Sequence, residues 1–246
     1  MNFRQIKIYR PEQTNSTNSF ASNLINEGKE KTEFVVITKR QDKGKGQNTN
    51  KWESEPDKNL TFSLAIFPEQ FPPQKQFLIS KAVSLSILEV LINEIMGVSI
   101  KWPNDIYIGD KKVAGILIEN TIKGSVLSHS IIGIGLNVNQ EIFISDAPNP
   151  VSLRMLTGKN YDTEVLFKLI MEKIEKRFTE IFNGSFINTD IEYEKSMYLI
   201  GKESRFLENG IEFSGVIEGV NDYGQLKINT GKLIRVFNFN EIKFII

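Results

Sequence analysis

The sequence predicts an α+β protein: a mixed β-sheet backed by helices, followed by a small C-terminal β-barrel. Three observations predict it. Apolar runs of strand length occur at 34–38, 60–67 and 128–139, and the last is so continuous that it reads as a central strand. The segments 74–96 and 162–182 have the length and 3.6-residue periodicity of helices that bury a face. From Lys202 onward the texture changes to strands of four to nine residues, punctuated by Glu208-Asn209-Gly210, Asn221-Asp222-Tyr223-Gly224 and Thr230-Gly231. Closely spaced turn signals of this kind mark hairpins.

In chain order, Ile6-Lys7-Ile8-Tyr9 alternates as a short strand does, and Ser16 or Thr17 can N-cap a helix that runs to about Glu27 and stops at Gly28. Phe34 to Thr38 is a β-branched strand. Residues 40–59 are polar and show neither helical nor strand periodicity. After the strand at 60–67, the helix at 74–96 ends at Gly97. A strand at 98–102 leads into Pro103-Asn104-Asp105. Ile106-Tyr107-Ile108, Gly109-Asp110 and Lys111 to Glu119 then read as a hairpin with a tight turn. The helix at 162–182 is followed by a short one near 188–198. These boundaries divide the chain into an α+β domain at 1–198 and a small β-barrel domain at 199–246.

Composition narrows the chemistry. The 246 residues carry 30 Lys plus Arg against 30 Asp plus Glu, so there is no basic surplus to meet nucleic-acid phosphates. Without cysteine, thiolate nucleophiles, disulfides and Cys-based zinc sites are excluded, and the single His129 lies in an apolar stretch and reads as a strand residue without chemistry. No run is long and apolar enough for a membrane span, and the N-terminus has no apolar signal core, so the expected location is cytoplasmic.

Four stretches carry chemistry. Residues 41–52, QDKGKGQNTNKW, form a long cationic loop with Gly44 and Gly46. It lacks the third glycine and following apolar helix of a dinucleotide fingerprint, and it is not a Walker A loop. Its backbone N–H groups and lysines can nevertheless surround an anion. Residues 101–105, KWPND, place a cation, an amide and a carboxylate at a strand end stiffened by Pro103. Residues 112–119, KVAGILIE, and 133–139, GIGLNVN, are strands interrupted by glycine. A glycine inside a strand marks either a bulge or a place where something approaches the backbone closely.

Together with Ser16-Thr17-Asn18, these motifs in this order resemble biotin protein ligases, over nearly the whole chain from about residue 14 to the C-terminal barrel. The resemblance implies the class II synthetase-like biotin/lipoyl ligase fold with an SH3-like C-terminal barrel. It implies a ligase-only member without an N-terminal DNA-binding domain. Such an enzyme activates biotin with ATP and Mg²⁺ as biotinyl-5'-adenylate, then transfers biotin to a lysine of a biotin carboxyl carrier protein. By similarity, Ser16, Thr17, Gln41, Gly44 and Gly115 bind biotin. Lys45, Trp52, Lys101, Asn104, Asp105 and Asn137 bind ATP or the adenylate, with Asp105 also a metal ligand. Lys112 and Lys45 are the catalytic cations. The loop departs from the family's usual Gly/Arg-rich form: Lys45 stands at an Arg position, and a lysine cannot make the bidentate fork to phosphate. The competing readings are a lipoate or octanoate ligase or transferase of the same fold, a catalytically weakened carrier-binding protein, and a repressor. Zero net charge counts against the last. The sequence leaves monomer and homodimer both open.

Overall fold

The run Val126–Leu136 is apolar on both faces, and the chain folds so that this segment lies in the middle of its main sheet. The computed structural model describes residues 3, 5–48, 50–145 and 148–245. The elements among them are β1 (Lys7–Tyr9), β2 (Gln13–Thr14), α1 (Thr17–Asn26), β3 (Phe34–Thr38), β4 (Arg40–Gln41), β5 (Gly44–Lys45), β6 (Lys51–Trp52) and β7 (Leu60–Ile66). They continue with α2 (Phe77–Leu91), β8 (Val98–Lys101), β9 (Asp105–Ile108), β10 (Lys111–Lys123), β11 (Val126–Leu136), α3 (Leu153–Thr157), α4 (Thr163–Phe182) and α5 (Ile187–Lys195). The last five strands are β12 (Glu203–Glu208), β13 (Ile211–Val220), β14 (Leu226–Asn229), β15 (Ile234–Phe237) and β16 (Lys243–Ile245).

The main sheet has seven strands in the order β1-β3-β7-β11-β10-β9-β8. Only β1 and β3 run parallel; the other neighbours are antiparallel, so the sheet is mixed. Strand periodicity sorts its residues between two faces. Val35, Ile37, Leu60, Phe62, Leu64, Ala114, Ile116, Ile132, Ile134 and Leu136 enter the large core with α2 and α4. Phe34, Val36, Ala65 and Ile131 point the other way and bury Ala21 and Leu24 of α1. Almost every residue of α2 is buried, the expected pattern for a helix sealed between a sheet and further helices. It ends at Leu91, earlier than the sequence suggests, and the chain turns out before Gly97, whose φ of +80° suits glycine.

The strands from 203 onward make an antiparallel sheet in the order β15-β14-β13-β12-β16. The expected closed barrel is not formed by strand pairing: β15 and β16 stand at opposite edges. The module is held to the main sheet by Trp102. Its ring is 3% exposed, its Nε1–H donates to the carbonyl of Gly224 at 2.7 Å, and it packs against Phe239 with ring centres 5.4 Å apart. No helix among the described residues is long and apolar enough to cross a membrane.

Candidate active site

The α1 face of the sheet is where the main strands change character. Facing α2 they carry large aliphatic and aromatic residues. Facing α1 the same strands carry Thr61, Ser63, Gly115, Leu117, Gly133 and Gly135. Small residues leave room, and a cavity of about 140 Å³ lies over them. The N-terminal end of α1 closes one side with Ser16, Thr17 and Asn18, and the polar stretch 41–52 closes another.

That stretch is not without strand structure, as its composition suggested. Gly44 and Lys45 pair with Trp52 and Lys51, and Gly46 N–H donates to Asn50 O at 2.8 Å. The resulting short hairpin lays the Trp52 indole on the cross-strand pair Gly115 and Gly135. A Cβ on Gly135 would stand 2.3 Å from Trp52 Cε2, and one on Gly115 would stand 3.1 Å from Cζ3. The close approach that the strand glycines implied is therefore made here by Trp52. Its Nε1 is buried without a hydrogen-bond partner among the described residues.

Lys112 reaches the cavity through an irregularity in β10. Residues 112 and 115 differ by three positions and would face opposite sides of a regular strand. The ladder to β9 slips between Lys112 and Ala114, so that Tyr107 opposes Lys112 while Ile106 opposes Ala114. This bulge turns Lys112 onto the face of Gly115, as bulges elsewhere re-aim a side chain. The lysine stem lies over Gly115, and Nζ sits 5.8 Å from the centre of the Trp52 ring. Nζ also stands 2.6 Å from Asp105 Oδ1. That contact is an ion pair whose angles fall outside hydrogen-bond geometry, since Oδ1 has no hydrogen-bond partner among the described residues. Both side chains are about one-fifth exposed, at 25% and 17%, so the pair is screened less than a surface pair.

The turn at KWPND serves two purposes. Asn104 is bound to β10 twice: its side-chain N–H donates to Ile116 O, and its own carbonyl accepts from Ile116 N–H. This clamps the turn so that Asn104 and Asp105 line the cavity. Trp102 faces the other way and holds the C-terminal module.

Most of the residues singled out in the sequence converge. Ser16, Thr17, Gln41, Lys45, Trp52, Asn104, Asp105, Lys112 and Gly115 all line one cavity. Gly44 packs beside it, where a Cβ would stand 2.6 Å from Gln41 Nε2. Two residues are not brought to this cavity. Lys101 Nζ lies 4.7 Å from the ring centre of Phe244 and 5.1 Å from that of Tyr107, and burial holds its pKa below the usual lysine value. Asn137 is 3% exposed and donates to Val151 O, which holds the segment after β11. Thr61 also lines the cavity and had no place in the sequence reading, while Asn18 and Gly133 entered it as members of motifs without an assigned ligand. The strand alternation around 61–63 and 133–135 was the available signal.

Charge in the cavity is lopsided. Lys45, Lys51 and Lys112 line it, and Asp105 is the sole carboxylate lining it among the described residues. Among the described residues no cluster of three or more His, Asp or Glu could cage a metal. One carboxylate suits a magnesium ion that keeps most of its coordination to phosphates and water. The cavity can thus hold anions close to a polar, hydrogen-bonding pocket.

Comparison with known proteins gives one consistent picture. Residues 10–137 match the biotin/lipoate A/B protein ligase family. The bifunctional ligase/repressor BirA of Bacillus subtilis is 30% identical over 227 residues, covering 89% of this chain and 68% of that protein. The biotin–[acetyl-CoA-carboxylase] ligase of Mycobacterium tuberculosis is 25% identical over 234 residues, covering 93% of this chain and 85% of that one. Among solved structures, a biotin protein ligase from Aquifex aeolicus in complex with biotin and ATP superposes with a TM-score of 0.79 at 27% identity. It covers 96% of this chain and 97% of that chain.

Proposed function

The chain belongs to the biotin/lipoate A/B protein ligase family, and we propose that it is an ATP-dependent biotin protein ligase whose reaction runs in the cavity lined by Thr17, Gln41, Asp105 and Lys112. The observation that carries this reading is the bulge in β10. It aims Lys112 into the same cavity as Asp105 and the polar pocket of Ser16, Thr17 and Gln41.

In the first step a carboxylate oxygen of biotin attacks the α-phosphorus of ATP. The new oxygen–phosphorus bond forms as the bond to the β-phosphate breaks, and pyrophosphate leaves. Carboxylate and triphosphate repel one another, so cations must bring them together. Lys112 is placed to bridge the attacking carboxylate and the α-phosphate, where negative charge grows. Lys45, on the hairpin, faces the phosphates. Asp105 would hold Mg²⁺ riding on the triphosphate; the ion would neutralise charge on the leaving pyrophosphate. Asn104 fixes the turn that carries Asp105. The Trp52 indole covers the adenylate and excludes water, which would hydrolyse the mixed anhydride. In the second step a lysine amine attacks the acyl carbon, AMP leaves, and the amine gives up a proton as the amide forms.

The acceptor is a biotin carboxyl carrier protein. A second cavity of about 310 Å³ shares Gln47, Asn104 and Ile116 with the first and runs out to Tyr223 and Phe239 of the C-terminal module. It offers the acceptor lysine a way in. We take the chain as two domains, 1–198 carrying the chemistry and 199–246 flanking this approach. We propose a cytoplasmic location for the reaction.

A lipoate or octanoate substrate fits less well. The lone pairs of Thr17 Oγ1 and the NH₂ of Gln41 would be left unpaired against an alkyl chain, and sites built from buried polar groups reject ligands that cannot pair them. Pyrophosphate exchange into ATP tests the proposal. With Mg²⁺, exchange is expected when biotin is added and absent with lipoate or octanoate. Exchange with lipoate and none with biotin would overturn it.

A further inference from the structure

We infer that Glu119, outside the cavity, sets the direction of the hydrogen bonds that recognise the ureido ring and is thereby a positioning residue for biotin; the inference rests on the biotin reading above. A chain of contacts leads from Glu119 to Thr17. Glu119 lies on β10, on the face of Leu117 and Gly115. Its Oε2 accepts from Asn18 Nδ2 at 2.7 Å, and the Leu117 carbonyl accepts from the same nitrogen at 3.4 Å. Asn18 is 3% exposed, and its amide lies against Gly133, where a Cβ would stand 2.4 Å from Oδ1. Ser63 Oγ is 2.6 Å from Asn18 Oδ1 and 2.7 Å from Thr17 Oγ1.

Proton counting fixes the polarity. A carboxylate and a carbonyl only accept, so the NH₂ of Asn18 must face Glu119 and Leu117. Its Oδ1 therefore faces Ser63 and takes that hydroxyl's single proton. The contact between the two hydroxyls is then made by Thr17, donating to Ser63. The longer approach of Thr17 Oγ1 to Gln41 Oε1, at 3.4 Å, is the poorer destination for the Thr17 proton. Thr17 Oγ1 is left with lone pairs alone, aimed into the cavity. Gln41 Oε1 accepts from Thr17 N–H at 2.9 Å, which leaves the Gln41 NH₂ as the donor. One acceptor and one donor side by side complement a ring that presents N–H beside C=O.

With the amide of Asn18 reversed, every proton in the chain reverses and Thr17 becomes a donor. Glu119 and the weaker Leu117 contact hold it in the useful sense. Glu119 itself is exposed, so its replacement leaves the fold intact.

The test compares biotin with two analogues in which one or the other ureido N–H is replaced by an ether oxygen, giving cyclic carbamates. Wild type should bind biotin and strongly reject the carbamate that sets oxygen against Thr17. In Glu119→Ala, KM for biotin in pyrophosphate exchange should rise about tenfold, the size of one lost polar constraint, while kcat and KM for ATP stay unchanged. The preference for biotin over that carbamate should shrink by a similar factor. Glu119→Gln keeps an acceptor oxygen for Asn18 and should recover most of the preference. A preference identical in wild type and Glu119→Ala overturns the inference, whatever happens to KM. Failure of wild type to bind biotin would overturn the functional reading instead.

Discussion

The two walls of the cavity are built in opposite ways. The strand wall is the middle of a seven-stranded sheet: Gly115 and Gly135 are each paired to a strand on both sides, and Lys112 and Asp105 stand on adjacent strands. The hairpin wall, residues 44–52, is one two-rung pair carrying Lys45 and Trp52. The difference separates chemistry from enclosure. A cation that stabilises developing charge must be in place before reaction, because reorganisation at that moment would be costly. It therefore belongs on the ladder. A cover must admit and release ligands, which a segment with few backbone bonds does more readily.

If this division is correct, the largest effect comes from the strand wall. Lys112→Ala should slow biotin-dependent pyrophosphate exchange about a hundred- to a thousand-fold, roughly 3 to 4 kcal/mol, the usual loss for one preorganised group of this kind. It also leaves Asp105, at 17% exposed, without its ion-pair partner. Exchange kinetics on protein with unchanged circular dichroism measures it. Near-normal exchange would reduce Lys112 to a surface charge.

The contrast also explains what the sequence revealed. Strands β3, β7 and β11 and helices α1, α2 and α4 were legible because burial imposes periodicity, and Phe34 to Thr38 or Val126 to Leu136 can hardly be read otherwise. The hairpin was invisible, since Lys43, Lys45 and Gln47 follow no apolar pattern and its pairing depends on where Trp52 lands. The short α3, capped by Ser152 accepting from Met155 N–H, was missed because five residues carry too little period. The same holds within the site. The grouping of Ser16, Thr17, Gln41, Asp105 and Lys112 came from resemblance. The means by which Lys112 arrives, a bulge beside Val113, was open in the sequence only as one of two readings of the glycine in that strand, with nothing to fix its position. KWPND was read as one phosphate corner, but the structure divides it. Asn104 and Asp105 face the cavity, Trp102 anchors Gly224, and Lys101 lies over Phe244.

A smaller effect probes the contact between the walls. Gly135→Ala puts a methyl 2.3 Å from the Trp52 ring, whose neighbours on the sheet cannot retreat. The hairpin, the weaker wall, must give way. Overpacking of this kind costs about 1 to 3 kcal/mol, which here falls on hairpin seating and leaves the global fold intact. Trp52 emission should shift to the red, read against Trp52→Phe to subtract Trp102, and limited proteolysis within 44–52 should quicken. Unchanged emission with lowered thermal stability would mean that the sheet yields, and the division between rigid and yielding walls would fail.

The smallest effect on the first step should come from Lys45 on the hairpin. Its side chain is exposed, so its attraction to phosphate is screened in the open protein and adds little to ATP binding. Once the adenylate has formed, the hairpin lies over it, water is excluded, and the same charge acts through a lower dielectric. Lys45→Ala should therefore leave pyrophosphate release within about threefold of normal, the scale of an exposed charge pair. It should raise the escape of free adenylate and lower the fraction that reaches a carrier lysine. Parallel assays of pyrophosphate released and carrier labelled give that fraction directly. Amide exchange across 41–52, with and without a non-hydrolysable adenylate mimic, separates the two contributions of the wall. Protection that rises with the mimic in wild type and rises less in Lys45→Ala ties retention to this charge. If protection is equal with and without the mimic in wild type, the hairpin does not close on its ligand, and enclosure must come from the strand wall and the C-terminal module alone.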